Sequence, residues 1–183
     1  VTGALDMVLS LGTGGASFGV LRGTKKTGIL LEVAFVLETA GRKGIHIDRF
    51  LPNKPLRILV NHSGNNVTKD YPVEMFNKQL IPGRIEDVID NETFLETILP
   101  DMLSSATDIS EQLKGDEIAE GLKCMNQTLD HEIDRLGKLF KQNKSIRPDE
   151  IRTALDEKNV LTELISNAQI RMDSIQLIKE GVL

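Results

Sequence analysis

The sequence predicts an α+β fold: an antiparallel β-sheet in the N-terminal half, packed with C-terminal helices that include a long antiparallel helical hairpin. Three observations carry this expectation. Residues 1–84 hold short apolar alternations separated by Gly, Pro, Asn and basic clusters; residues 85–168 switch to apolar steps of three and four; and the tail alternates again. The first stretch is therefore expected to be mainly sheet with one short helix. The second, 85–183, is expected to be helical with a final strand returning to the sheet, the two together forming one C-terminal domain of a larger protein.

Taken in order, strands are expected at Asp6–Leu11, Ala16–Leu21, Ile29–Glu38, Ile45–Leu51 and Leu56–Asn61. Ile29–Glu38 is nearly all apolar and rich in β-branched and aromatic residues, which suits a strand with both faces covered. The glycine-rich Gly12–Gly19 reads as a hairpin loop, and Gly23–Thr27 as a basic turn. Pro52 and Pro55 bracket a linker, and His62-Ser63-Gly64-Asn65-Asn66 supplies the residues of a tight reversal with positive φ. After Pro72 the spacing of Val73, Phe76, Gln79 and Leu80 is helical. Leu95, Leu99, Met102, Ala106 and Leu113 mark a further helix, which Pro100 either opens anew or kinks. Ile118, Leu122, Met125, Leu129, Ile133, Leu136 and Phe140 form one apolar stripe, and Ile151, Leu155, Leu161, Leu164, Ile165 and Ala168 a second. Pro148, Asp149 and Glu150 suit a helix first turn, with carboxylates at the positive end of the dipole. The residues 172–179 alternate, yet a continued helix satisfies the same pattern.

Composition narrows the function classes. No run of 18 apolar residues occurs, and the most apolar stretch is interrupted by Glu32, so no membrane span or signal peptide is expected. A single cysteine, Cys124, permits no internal disulfide and fits a reducing, cytoplasmic setting; within its helical pattern it reads as a small buried hydrophobe. Val1, in place of an initiator Met, suggests a piece of something longer. Charge is uneven: residues 1–84 carry 11 Lys/Arg against 6 Asp/Glu, and residues 85–183 carry 11 against 21. The acidic half reads as a solvated helical face, whereas the basic half could meet a phosphate backbone or an acidic protein patch.

Residue patterns that carry chemistry are few. Gly12–Gly19 lacks the Gly-Lys-Ser/Thr ending of a phosphate loop and does not complete G-x-G-x-x-G. His46, His62 and His131 lie in three separate segments, and His131-Glu132 has no second histidine four residues on, so no metal site is expected. Helical carboxylates read as surface residues, and with no Trp and one Tyr the chain does not suit base stacking. No catalytic residue, cofactor or metal is expected here.

Four words stand in order between Arg49 and Leu80: Arg49-Phe50-Leu51-Pro52; Pro55-Leu56-Arg57-Ile58-Leu59; Gly64-Asn65-Asn66; and Phe76-Asn77-Lys78-Gln79-Leu80. They resemble R-F-L-P, P-x-R-x-L, G-N-[ND] and F-N-[RK]-Q-L of the RapA family, bacterial RNA polymerase-associated recycling factors of the Swi/Snf ATPase type, in its C-terminal region. Ile146-Arg147 with Asp149-Glu150, and Arg171 to Ile178, echo a later turn and the last strand of that family, with Arg171 where relatives tend to carry an aromatic residue. The resemblance implies a parent that hydrolyses ATP with magnesium in lobes not contained in this chain, binds core RNA polymerase and promotes its reuse in the bacterial cytoplasm and nucleoid. This stretch would then be a non-enzymatic docking or regulatory domain, with polymerase and the ATPase lobes of its own chain as partners. A nucleic-acid-binding accessory domain is the first rival, with DNA or RNA as ligand; a purely intramolecular scaffold is the second. The apolar stripes admit a homodimer. Arg49, Lys54, Arg57, Lys25 and Lys26 are the candidate interaction residues, and Arg49 and Arg57 have a second reading as partners of a carboxylate such as Asp48 or Glu38.

Overall fold

The computed structural model describes residues 15–24, 26–40, 45–83, 92–142 and 147–181; the expected strand at Asp6–Leu11 lies outside them. Five strands form one sheet: β1 (Gly15–Leu21), β2 (Gly28–Glu38), β3 (Pro55–Asn61), β4 (Leu80–Pro82) and β5 (Gln169–Glu180), in the order β3-β2-β5-β1-β4. Helices α1 (Val73–Gln79), α2 (Leu99–Gln142) and α3 (Pro148–Ser166) complete the α+β architecture.

The tail is thus a strand, and it is the middle one of the five. It runs parallel to β1, with Phe18 opposite Leu177 and Leu21 opposite Glu180. The sheet is consequently mixed and not wholly antiparallel, although β1–β4 and β2–β3 are antiparallel pairs as expected. β2 lies between β3 and β5 and has buried residues on both faces, Leu30 on one and Leu31, Val33 and Phe35 on the other.

Four local expectations are corrected. Residues 15–19 of the glycine-rich stretch belong to β1, and a Cβ on Gly19 would come within 2.7 Å of Leu80 Cδ1, so glycine permits the close approach of β4. Ile45–Leu51 is not a strand: it holds a 3-10 turn, Ile47–Arg49, in which the Phe50 and Leu51 amides both donate to the Ile47 carbonyl. Ile47, Phe50 and Leu51 have the three- and four-residue spacing of a helical turn, and all three join one apolar cluster. The helix expected to end near Leu113 instead continues through Gly115 to Gln142. A π-helical turn, Phe94–Ile98, precedes it; the Leu99 amide reaches back to the Phe94 carbonyl, and the wider turn accommodates Pro100, whose ring lacks a donor and crowds the carbonyl four residues before it. Finally, Cys124 is exposed, one residue off the stripe that buries Met125.

The chain forms two compact units that interleave along the sequence: residues 1–36, 55–112 and 170–183 in the first, and 37–54 and 113–169 in the second. On one sheet face of the first unit Leu21, Leu30, Leu59 and Ile178 pack with Tyr71 and Phe76 from the segment around α1. In the second unit Leu37, Phe50 and Leu51 pack with Met125 and Leu129 of α2 and Leu161, Ile165 and Ala168 of α3. There α2 and α3 run antiparallel: Gly121 lies beside Ile165, and Asp130 bonds Lys158. Gly121 also leaves room for the 3-10 turn, since a Cβ would stand 3.1 Å from the Phe50 carbonyl oxygen. α3 opens as expected on Pro148, with the Glu150 amide donating to the Arg147 carbonyl at 3.0 Å.

Candidate functional site

The words that carry the resemblance fold into two different places. Arg49-Phe50-Leu51-Pro52 belongs to the helical unit, where Phe50 and Leu51 are core and the Arg49 guanidinium lies 5.2 Å from the Phe50 ring centroid. The other three words belong to the sheet unit and build a single polar corner.

That corner begins with the reversal after β3. Asn61 Oδ1 accepts the Ser63 and Asn65 amides, each at 3.0 Å, and Asn66 Oδ1 accepts the Thr68 amide. Among the described residues positive φ falls only on glycines, and Gly64, at 76°, supplies the one expected of this reversal. Gly64 also faces Ser105 of α2 so closely that a Cβ would meet its Oγ at 2.5 Å. The chain then returns along β3: the Val67 amide donates to the Leu59 carbonyl, and the Leu59 amide to Thr68 Oγ1. These bonds occupy the outer edge of β3.

Arg57 ties this return to the sheet. It stands diagonally across from Glu32 on the same face of the β2–β3 pair and forms an ion pair with it. Its Nη1 donates to the Tyr71 carbonyl at 2.7 Å, and its guanidinium lies 4.7 Å from the Phe76 ring centroid. Nη2 is buried without a hydrogen-bond partner among the described residues. The Tyr71 hydroxyl in turn donates to Glu180 of β5, whose side chain shares a strand face with Ile178 and is 7% exposed. Burial, then the bond to Glu180 and its charge, push the Tyr71 phenol well above the usual tyrosine range. Glu32, Arg57, Tyr71 and Glu180 therefore form one polar chain across β2, β3 and β5.

A cleft of about 410 Å³ opens beside Glu180, bordered by Lys26, Thr27, Gly28, Asn61, His62 and Tyr71. The Lys26 ammonium sits 5.7 Å from the Tyr71 ring centroid. Thus, of the five candidate residues, Arg57 is a sheet-binding cross-link whose carboxylate is Glu32 in place of Asp48 or Glu38, and Lys26 borders the cleft. Lys54 pairs with Glu117 at 2.8 Å, and Arg49 covers Phe50, both in the helical unit. Lys25 lies outside the described residues. Sequence reasoning missed Glu32, Asn61, His62, Tyr71 and Glu180. The available signal was a charged residue at an inward position of an apolar strand, at Glu32 in β2 and at Glu180 in β5. Among the described residues no group of His, Cys, Asp or Glu has the arrangement of a metal site, and no helix is long and apolar enough to cross a membrane.

A mixed five-stranded sheet with a returning final strand, a polar corner built from three of the signature words and a helical hairpin holding the fourth together describe one kind of protein. The chain belongs to the RNA polymerase recycling family, C-terminal, whose profile matches residues 1–179. Among curated proteins it is 31% identical to the RNA polymerase-associated protein RapA of Vibrio cholerae serotype O1 (strain M66-2) and 28% identical to those of Vibrio campbellii and Proteus mirabilis. Each alignment covers 97% of this chain and 19% of the relative, so the chain spans about a fifth of the proteins it matches.

Proposed function

We propose that this chain is a non-catalytic docking or regulatory domain of an ATP-dependent, RNA polymerase-associated recycling factor, with core RNA polymerase and the ATPase lobes of the same protein as its partners, acting in the bacterial cytoplasm and nucleoid. The observation that carries the reading is the family match across residues 1–179, together with relatives whose names state RNA polymerase association. ATP and magnesium belong, on this reading, to the remaining four-fifths of such a protein. The helical hairpin supplies the contact surface: Phe140 of α2 and Leu155 of α3 are 39% and 45% exposed, large apolar side chains of the kind that anchor interfaces.

A nucleic-acid role is the weaker reading, because Arg57 and Lys54 already hold carboxylates of their own chain. The deciding experiment titrates this chain against core RNA polymerase at two salt concentrations, with duplex DNA in a parallel series. Saturable polymerase binding that survives high salt and weakens in Phe140→Ser/Leu155→Ser supports docking through the hairpin. Steeply salt-dependent binding to DNA alone would favour the accessory nucleic-acid role, and silence in both series would leave an intramolecular scaffold.

A further inference from the structure

We propose that the cleft beside Glu180 is a receptor for a primary alkylammonium group, either the side chain of a lysine on a protein partner or a small free amine. Glu180 is more than nine-tenths buried, and its hydrogen bond to the Tyr71 hydroxyl uses Oε1 alone. Oε2 lies toward Gly28, where a Cβ would come within 3.2 Å of it and 4.0 Å of His62 Nδ1. A second cleft, of about 360 Å³, shares Thr27, Gly28 and Glu180 with the first and is also bordered by Lys179.

No described cation lies within ion-pair distance of Glu180. A buried carboxylate without a cation is costly, and a cation able to reach it is correspondingly favoured. The ammonium of Lys26 rests over the Tyr71 ring, so the cleft wall accepts this group. Leu30 and Val67 border the cleft and can cover an alkyl stem. The choice of ammonium over guanidinium follows from Tyr71: a two-pronged guanidinium would have to share Oε1 with the hydroxyl that already donates to it, whereas a point-like ammonium needs only Oε2. The same carboxylate repels phosphate and other anions despite the presence of Lys26 and His62.

The test titrates the chain with cadaverine, with a capped Ala-Lys-Ala peptide, with a capped Ala-Arg-Ala peptide as the guanidinium counterpart and with inorganic phosphate, following the backbone amide resonances of Lys26, Gly28 and His62. Saturable shifts with the two ammonium ligands, about tenfold tighter than with the arginine peptide and absent with phosphate, are expected. A tighter peptide than diamine identifies a protein lysine as the source; the reverse order identifies a free amine. Glu180→Gln should weaken binding at least about tenfold, and Lys26→Ala, which removes the competing ammonium, should tighten it. Gly28→Ala retains the charge while filling the gap, so it weakens binding even if Glu180→Gln fails to fold. Phosphate shifting these amides, amines that never saturate, or wild-type affinity in Gly28→Ala would each overturn the proposal.

Discussion

The sheet unit and the helical hairpin use the same ion-pair chemistry in opposite surroundings. In the sheet, Arg57 and Glu32 are 18% and 19% exposed and are held further by a backbone carbonyl and an aromatic ring. In the hairpin, Lys138–Asp134 and Arg135–Glu132 span single helical turns with 41–71% of each side chain in water. Solvent screens the second kind and competes for its hydrogen bonds, whereas the first joins two strands and the chain that follows them. Burial, and not the number of charges, sets the contribution of each unit's ionic groups.

The largest loss is expected from Glu32→Ala, which strands a mostly buried guanidinium and should cost ~4 kcal/mol by urea denaturation. Replacing both partners, as Glu32→Leu with Arg57→Met, should recover most of that loss. A result in which the single variant is as stable as wild type would place the Arg57–Glu32 pair in the same class as the hairpin's surface pairs. In the helical unit the comparable effect comes from apolar packing: Met125→Ala, at a fully buried position, should cost roughly 3 kcal/mol. Gly64→Ala comes next, at about 1–2 kcal/mol, because φ is 76° and the new methyl would press on Ser105; Ser105→Gly should relieve the contact and leave the backbone strain.

Tyr71 offers a pH-dependent check. It is the only tyrosine, and the chain has no tryptophan, so ultraviolet absorbance of the phenolate reports this one group. Its folded-state pKa is raised, so the associated stability is complete below the ordinary tyrosine pKa of about 10 and is lost as pH climbs through the folded value. Phenolate should therefore appear together with the loss of circular dichroism; ionisation in a still-folded chain would contradict the buried bond to Glu180.

The smallest effect belongs to the hairpin surface. Bonds from Arg135 and Lys138 hold the carboxyls of Glu132 and Asp134 below the usual carboxylate range. Their contribution is present above that range and lost as pH falls through the lowered values, and high salt should abolish it. Lys138→Ala should leave Tm unchanged within error, while carboxyl NMR shows Asp134 titrating at a higher pH.

Local patterns made much of the architecture legible. Strand β2 rests on a nearly continuous apolar run, β3 on alternation after Pro55, and the helix after Pro72 on proline chemistry and helical spacing, signals that act within a few residues. Ile45–Leu51 misled because four alternating residues suit a strand, while the spacing of Ile47, Phe50 and Leu51 suits a helical turn equally well, and the core of the helical unit selected the turn. Cys124 misled because an apolar stripe specifies a face and not each neighbour of it. Arg57 was singled out as a contact residue or a carboxylate partner, and only the β2–β3 register identifies Glu32 as that carboxylate.

By itself the sequence determined the α+β class, the reversal around Gly64, the apolar stripes of the hairpin and the resemblance to its family, because each resides in residue types at short spacing. Tertiary structure alone decided that the tail becomes the middle strand, parallel to β1 more than 150 residues earlier. It also decided that Tyr71 meets Glu180 across a separation of 109 residues. Alternation specifies which side chains share a face but carries no information about which distant strand will supply the hydrogen bonds, and that choice places the buried carboxylate at its cleft.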